Sequence, residues 1–203
     1  IIIGENWHDA SNYLRGDQYD SIMNYAFTKA CLDYFATGAA NAEQTAWKLN
    51  DILARNTDTV NSMMLNLLDS HDTHRFFTEV GMDREKMAAA LHLLFLFPGV
   101  PCIFYGTEFY MEGGYDPDCR RCMDWSGYEA GRYDEPVQLI QKLAALRRKY
   151  GLADAETVIT AQSEILIVKR RLKEIELSLY INLSDQEAAV DGRIVRAHSY
   201  LLL

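Results

Sequence analysis

Residues 1–10 read "IIIGENWHDA": three isoleucines and a glycine, then Glu5, Asn6, Trp7, His8 and Asp9. A run of β-branched residues predicts a fully buried strand. Packing gives no reason for a carboxylate, an indole and an imidazole to crowd its carboxyl end. The stretch therefore predicts a strand that delivers chemistry at the point where it runs out.

The pattern recurs along the chain. "SMMLNLL" (62–68) predicts a short buried strand that ends in Asp69, Ser70, His71, Asp72, Thr73, His74 and Arg75. "VPCIFYG" (100–106) predicts a third, followed by a long loop over 107–134 rich in Gly, Asp, Arg and aromatics. A loop of that length in a compact domain is usually functional. Helices separate the strands. Met23, Phe27, Cys31 and Phe35 fall at i, i+4 spacing before a stop at Gly38, and Ala46, Leu49 and Leu53 mark a second helix. Asp83 is placed to cap a third, with Met87, Leu91 and Leu94 on its apolar face and Pro98-Gly99 at its end. The last, over 135–151, has Pro136 in its first turn, basic residues in its final turn and Gly151 beyond. Strands alternating with helices pair in parallel through right-handed crossovers. Such folds gather their active sites at the carboxyl ends of the strands.

From residue 152 the texture changes to short β-rich runs. Ile175, Leu177, Leu179, Ile181 and Leu183 alternate on one face, which predicts an antiparallel, half-exposed sheet. The expected division is residues 1–152 and 153–203, the second an all-β domain.

Composition narrows the function classes. A net charge of −9 and a pI near 5.0 argue against a nucleic-acid surface. Four cysteines, with Cys119 and Cys122 as a lone C-x-x-C, suggest plain thiols rather than a disulfide framework or zinc site. No apolar stretch approaches the ~20 residues of a membrane span. The histidines and acids are too scattered for metal-ligand spacing on one element, so no metal and no cofactor are expected. A chain that opens within a strand is expected to have lost its true N-terminus, together with any export signal.

Two acids stand out. Glu5, set between a buried strand and the Trp7 ring, is expected to be poorly solvated, which suits a general acid near neutral pH. Asp72 also ends a strand, after His71; a buried pair with Arg75 is its structural alternative. The blocks "GENWHDA", "LLDSHDTHR" and "PGVPCIFYGTEFYMEGGYDPDCRRCMDW" resemble three consecutive blocks of the α-amylase superfamily of glycoside hydrolases. Within it, the likeness is greatest to the neopullulanase, cyclomaltodextrinase and maltogenic amylase group. The resemblance implies an α/β fold: the C-terminal half of a (β/α)8 barrel, about strands 5 to 8, followed by an antiparallel β-sandwich. It makes Glu5 the general acid/base and Asp72 the acid that stabilises the transition state. His71 would hydrogen-bond sugar hydroxyls, and Trp7 and His8 would line the leaving-group side. Asp116 and Arg120 would hold the non-reducing end, with a loop-stabilising salt bridge as the alternative; Arg75 joins the expected substrate-binding set. Trp7 has simple core packing as its alternative.

Four positions depart from the family's pattern. Asn6 replaces an apolar residue, Thr107 stands where the family has Asp, Tyr115 replaces Asn, and Asp69 replaces a small residue. The family's nucleophilic aspartate lies on a strand before the one that opens this sequence. The expected activity is thus that of a fragment of a retaining α-glucan hydrolase. Its targets would be α-1,4 links, with α-1,6 as a second candidate, in maltooligosaccharides, cyclodextrins, pullulan or starch, and the fragment alone would be inert. Its partners would be the α-glucan substrate and either a second copy or the missing half of the barrel, with neither nucleic acid nor membrane. The residues leave the compartment open, and the resemblance favours the cytoplasm. The competing readings are a non-catalytic barrel relative, of the transporter heavy-chain kind, and a carbohydrate-binding module.

Overall fold

Two-residue strands form the front of the molecule: β1 (Ile3–Gly4), β2 (Ser21–Ile22), β3 (Leu65–Asn66) and β4 (Val100–Pro101). β1 pairs with β2 and β3 with β4, both in parallel, and a parallel bridge between Met23 and Leu65 joins the pairs into one arc. Ladders this short need help from side chains. Asn24 Nδ2 donates to Asn66 Oδ1 (2.8 Å), and Asn66 Nδ2 donates to the Pro98 carbonyl (2.7 Å). Both asparagines are buried, so each bond replaces lost solvation. Gly99, at φ +111°, lies against this link: a Cβ there would sit 2.6 Å from both Asn66 Nδ2 and the Met64 carbonyl. No other residue fits that approach.

Two expectations are corrected here. β2 was not foreseen, and Met23 lies in the arc rather than on a helix. The helix starts later because the Asn24 side chain accepts from the Phe27 N–H and caps it. The opening isoleucines are not buried: Ile1, Ile2 and Ile3 are 96%, 57% and 49% exposed. β1 has a neighbour on one side only, and nothing covers its outer edge.

Behind the arc lie α1 (Tyr25–Cys31), which continues as a π-helical turn over Leu32–Ala36, α2 (Ala42–Ala54) and the short α3 (Asp58–Asn61). α4 (Phe76–Glu79), α5 (Arg84–Leu96), α6 (Trp125–Glu129) and α7 (Asp134–Lys149) follow. Asn41 and Gln44 form a reciprocal capping box on α2. Asp83 accepts from the Glu85 and Lys86 N–H groups, the cap expected for α5. α5 has no polar face over its last three turns, since every residue from Met87 to Leu96 is buried. Helices apolar all round belong inside a fold. Arg147, in the last turn of α7, donates to the carbonyls of Phe95, Phe97 and Gly99 and so satisfies the end of α5.

α5 is enclosed by a second sheet. β5 (Glu156–Gln162), β6 (Ile165–Leu172), β7 (Ile175–Asn182) and β10 (Ser199–Leu202) pair antiparallel in the order β10-β7-β6-β5, and β8 (Ala188–Val190) and β9 (Arg193–Val195) form a separate hairpin. Alternate residues serve two cores. Leu166, Val168, Leu179 and Ile181 join the large core that includes α1, α2 and α5, whereas Ile165, Ile167 and Tyr180 pack on Val190 and Val195 of the hairpin. The sheet is therefore covered on both faces over β6 and β7, not half-exposed. Its alternation reports two interiors rather than one interior and solvent. The computed structural model describes all 203 residues.

Candidate active site

The carboxyl ends of the four parallel strands meet in one place. Glu5 follows β1, Tyr25 follows β2, the segment 69–75 follows β3, and the loop that begins at Ile103 follows β4. Carboxylate oxygens of Glu5 and Asp72 and an imidazole nitrogen of His71 all lie within 4.8 Å of one another. His71 Nε2 stands 3.3 Å from Asp72 Oδ1. Residues 66 apart in sequence thus share one site. They are also close enough to share a cation, but the guanidinium of Arg120, 3.1 Å from Asp72 Oδ1, already supplies positive charge there. The donor set does not read as a metal centre.

Arg120 is the hub of the rim. Its Nε donates to the His71 carbonyl (3.0 Å) and lies 2.9 Å from Asp116 Oδ1, while its Nη2 reaches Asp72. The Asp116–Arg120 pair expected from the sequence exists, and it also reaches the His71–Asp72 segment. Cys119 Sγ, 3.1 Å from the same His71 carbonyl, adds a second tie.

Glu5 does not have the expected surroundings. It is exposed, because no strand stands beside β1 on its open edge. Trp7 is stacked on Tyr25 instead, with ring centroids 3.8 Å apart and planes 14° from parallel, and it remains 53% exposed. Tyr25 Oη donates to Glu5 Oε1 (3.0 Å) and lies 3.1 Å from Ser70 Oγ, linking the ends of β1, β2 and β3. Burial pushes the Tyr25 hydroxyl up from 10.0 to about 12; the Ser70 bond opposes the shift and the Glu5 carboxylate adds to it. Sequence reasoning missed Tyr25 because, as the first residue of α1, it reads as an ordinary helix residue rather than as the end of a strand. The signal was present as an aromatic residue directly after "SIMN", a strand too short to register. His8 is exposed beside Trp7 and bonds to Asn6 Oδ1 through its backbone N–H (2.9 Å).

Arg75 was expected to touch sugar, and its burial argues otherwise. It is fully buried, its guanidinium 4.1 Å from the centre of the Phe104 ring, and it donates to the carbonyls of Cys119 and Tyr105 at 2.6 Å each. Nor is it hydrogen-bonded to Asp72. A fork of planar donors suits the gathering of carbonyls from a loop, and here it fastens the 105–119 loop beneath the site. Asp69 is likewise buried: its Oδ2 accepts from the Phe76 N–H (2.9 Å) and its Oδ1 from Thr107 Oγ1 (2.7 Å). Burial holds its carboxyl above the usual range, against those two bonds and the nearby Arg75 charge.

Residues 1–176 match the family described as alpha amylase, catalytic domain. The chain belongs to the α-amylase family of glycoside hydrolases. Within that α-amylase family it is 40% identical over 195 residues to the cyclomaltodextrinase of Thermoanaerobacter pseudethanolicus, covering 94% of this chain and 33% of that protein. It is 42% identical over 153 residues to neopullulanase 2 of Thermoactinomyces vulgaris, covering 73% and 26%. Among solved structures, the ligand-free cyclic α-maltosyl-(1→6)-maltose hydrolase of Arthrobacter globiformis superposes with a TM-score of 0.91 at 26% identity, over 100% of this chain and 48% of that one. A cyclomaltodextrinase superposes at 0.85 with 34% identity, over 92% and 32%. The arc is accordingly part of the α-amylase-family barrel, and the chain spans about a third of the first relatives it matches.

Proposed function

We propose that this chain supplies the acid/base side of a retaining α-glucan hydrolase that acts on maltooligosaccharides, cyclodextrins or pullulan. The observation that carries the proposal is the convergence of Glu5, His71 and Asp72 within 4.8 Å at the ends of separate parallel strands. Glu5, exposed and anchored by Tyr25, protonates the leaving oxygen and later activates water. Asp72 faces the charge that develops on the ring, held by Arg120, and His71 donates to a sugar hydroxyl. Trp7 and His8 line the leaving-group side, and Asp116 with Arg120 marks the non-reducing end.

The separation bears on stereochemistry. An inverting pair needs a gap of ~6.5–9.5 Å to seat water between its carboxyl groups. A carboxylate oxygen of Glu5 lies within 4.8 Å of one of Asp72, which leaves little room between them for that water. A retaining reaction needs a nucleophile about 5–5.5 Å from the acid/base, and the family resemblance places that aspartate outside this sequence. The chain by itself therefore releases no sugar. The free edges of β1 and β4 favour pairing, either with the rest of a barrel or with a second copy.

The test is product analysis. A protein that carries this chain with the preceding barrel strands is expected to release α-anomeric sugar from maltooligosaccharides and cyclodextrins, followed by NMR before mutarotation. Release of the β-anomer would refute the retaining assignment. The isolated chain is expected to be inert and to elute above its 23.2 kDa monomer mass.

A further inference from the structure

Two of the four departures from the family's blocks touch each other. Asp69 stands for a small residue and Thr107 for an aspartate, and the structure joins them by a buried 2.7 Å hydrogen bond from Thr107 Oγ1 to Asp69 Oδ1. Asp69 is 2% exposed and Thr107 is 2% exposed, so water replaces neither partner. The carboxylate missing from one strand-end loop is present on the facing one.

The position of this pair gives it a use. Asp69 begins the segment that carries His71 and Asp72, and its second oxygen caps α4 at Phe76, where the capping residue Arg75 offers no side-chain bond of its own. Thr107 begins the loop that returns Arg120 to Asp72. Arg75, one residue before α4, grips that loop at Tyr105 and Cys119. The Asp69–Thr107 bond therefore closes a buried brace between the two loops whose outer ends meet at Arg120, His71 and Asp72. The geometry points to Asp69 and Thr107 as a coupled pair of positioning residues, which set Arg120 against Asp72 without touching substrate. The value of that setting for turnover rests on the hydrolase reading above; the brace itself does not.

The test reads the geometry directly. In this chain the side-chain ¹H–¹⁵N signal of Arg120 Nε, assigned by its loss in Arg120→Lys, is expected to be sharp, because that atom is held between the His71 carbonyl and Asp116. Thr107→Val keeps the shape but leaves Asp69 Oδ1 unpaired, and Asp69→Leu removes both bonds. Both are expected to broaden or abolish the Arg120 signal. Thr107→Ser keeps the hydroxyl. Asp69→Asn serves both partners if its oxygen faces Phe76 and its amide faces Thr107. Both conservative variants are expected to retain the signal. If Asp69→Leu does not fold, Thr107→Val alone decides. A sharp, unshifted Arg120 signal in folded Thr107→Val overturns the proposal. No turnover enters the measurement, so failure of the chain's parent as a hydrolase would leave the result readable.

Discussion

The parallel arc and the C-terminal sheet are both β-structure, yet they are held together differently. In the arc each strand contributes two residues to its ladder, and side chains such as Asn24, Asn66, Arg75 and Asp69 bind one strand end to the next. In the sheet β6 pairs with β7 over eight residues and with β5 over seven, and backbone bonds suffice. A site that needs groups from several strands at one point must be built from side chains and loops. The long ladder is freed from that task and serves stability.

The largest effect that sharpens this contrast is catalytic. In a catalytically complete parent, Glu5→Gln is expected to lower kcat by on the order of 10²–10⁴ while the unfolding midpoint stays put, because Glu5 is exposed and packs against little. Steady-state kinetics beside a thermal melt checks both halves. An unchanged kcat would remove Glu5 from the reaction.

The next effect belongs to the sheet. Arg170 on β6 is buried and donates to the carbonyls of Leu96, Leu152 and Ala155, so it joins α5, the chain after α7 and the sheet. Arg170→Met leaves those acceptors bare and is expected to cost about 2–3 kcal/mol in urea unfolding. The same substitution should leave the spectral signature of the site unaltered. If the Arg120 signal moved as well, the two regions would be mechanically coupled.

A smaller loss is expected at the α2 capping box. Asn41→Ala removes the acceptor for the Gln44 N–H at an exposed helix start, with a cost of about 1 kcal/mol by the same measurement. No loss at all would mean that burial of Leu49 and Ile52 fixes this helix unaided.

The smallest effect is a titration. The folded pKa of Tyr25 lies above its unfolded value, so the folded chain keeps this proton through the window from 10.0 to about 12. Stability falls as pH rises across that window, and the contribution is complete below it. Absorbance at 295 nm is expected to show Tyr25→Phe losing one late-ionising tyrosine, against a background in which burial also raises Tyr34, Tyr110 and Tyr200. Loss instead of a tyrosine that titrates near 10.0 would place the Tyr25 hydroxyl in water.

What could be read from the residues follows from what each signal depends on. Asp83 and the helix it caps were legible because capping and helical spacing are local. The meeting of Glu5, His71 and Asp72 was legible because strand ends converge in parallel α/β folds whatever the loops do, whereas their roles came from the family resemblance. The solvation of Glu5 was misjudged, since it depends on which strand stands beside β1. Arg75 was misplaced for a related reason: a guanidinium three residues past an acid reads as its partner, and only the Tyr105 and Cys119 carbonyls show where it points. β2 escaped because Ser21-Ile22 is shorter than any periodicity. The alternation in β7 was seen correctly, but one sequence cannot tell a solvent face from the face of a second core.

The buried stretch of α5 from Met87 to Leu96 has a consequence for the covalent chain. It lies between α7 and the β6–β7–β10 sheet, with Leu166, Leu179 and Ile181 in the same large core as Leu91 and Leu94. The peptide between Lys149 and Glu156 is therefore a tether rather than a hinge. A protease that severed it would yield two fragments that remain docked and travel as one particle, each filling the interior of the other.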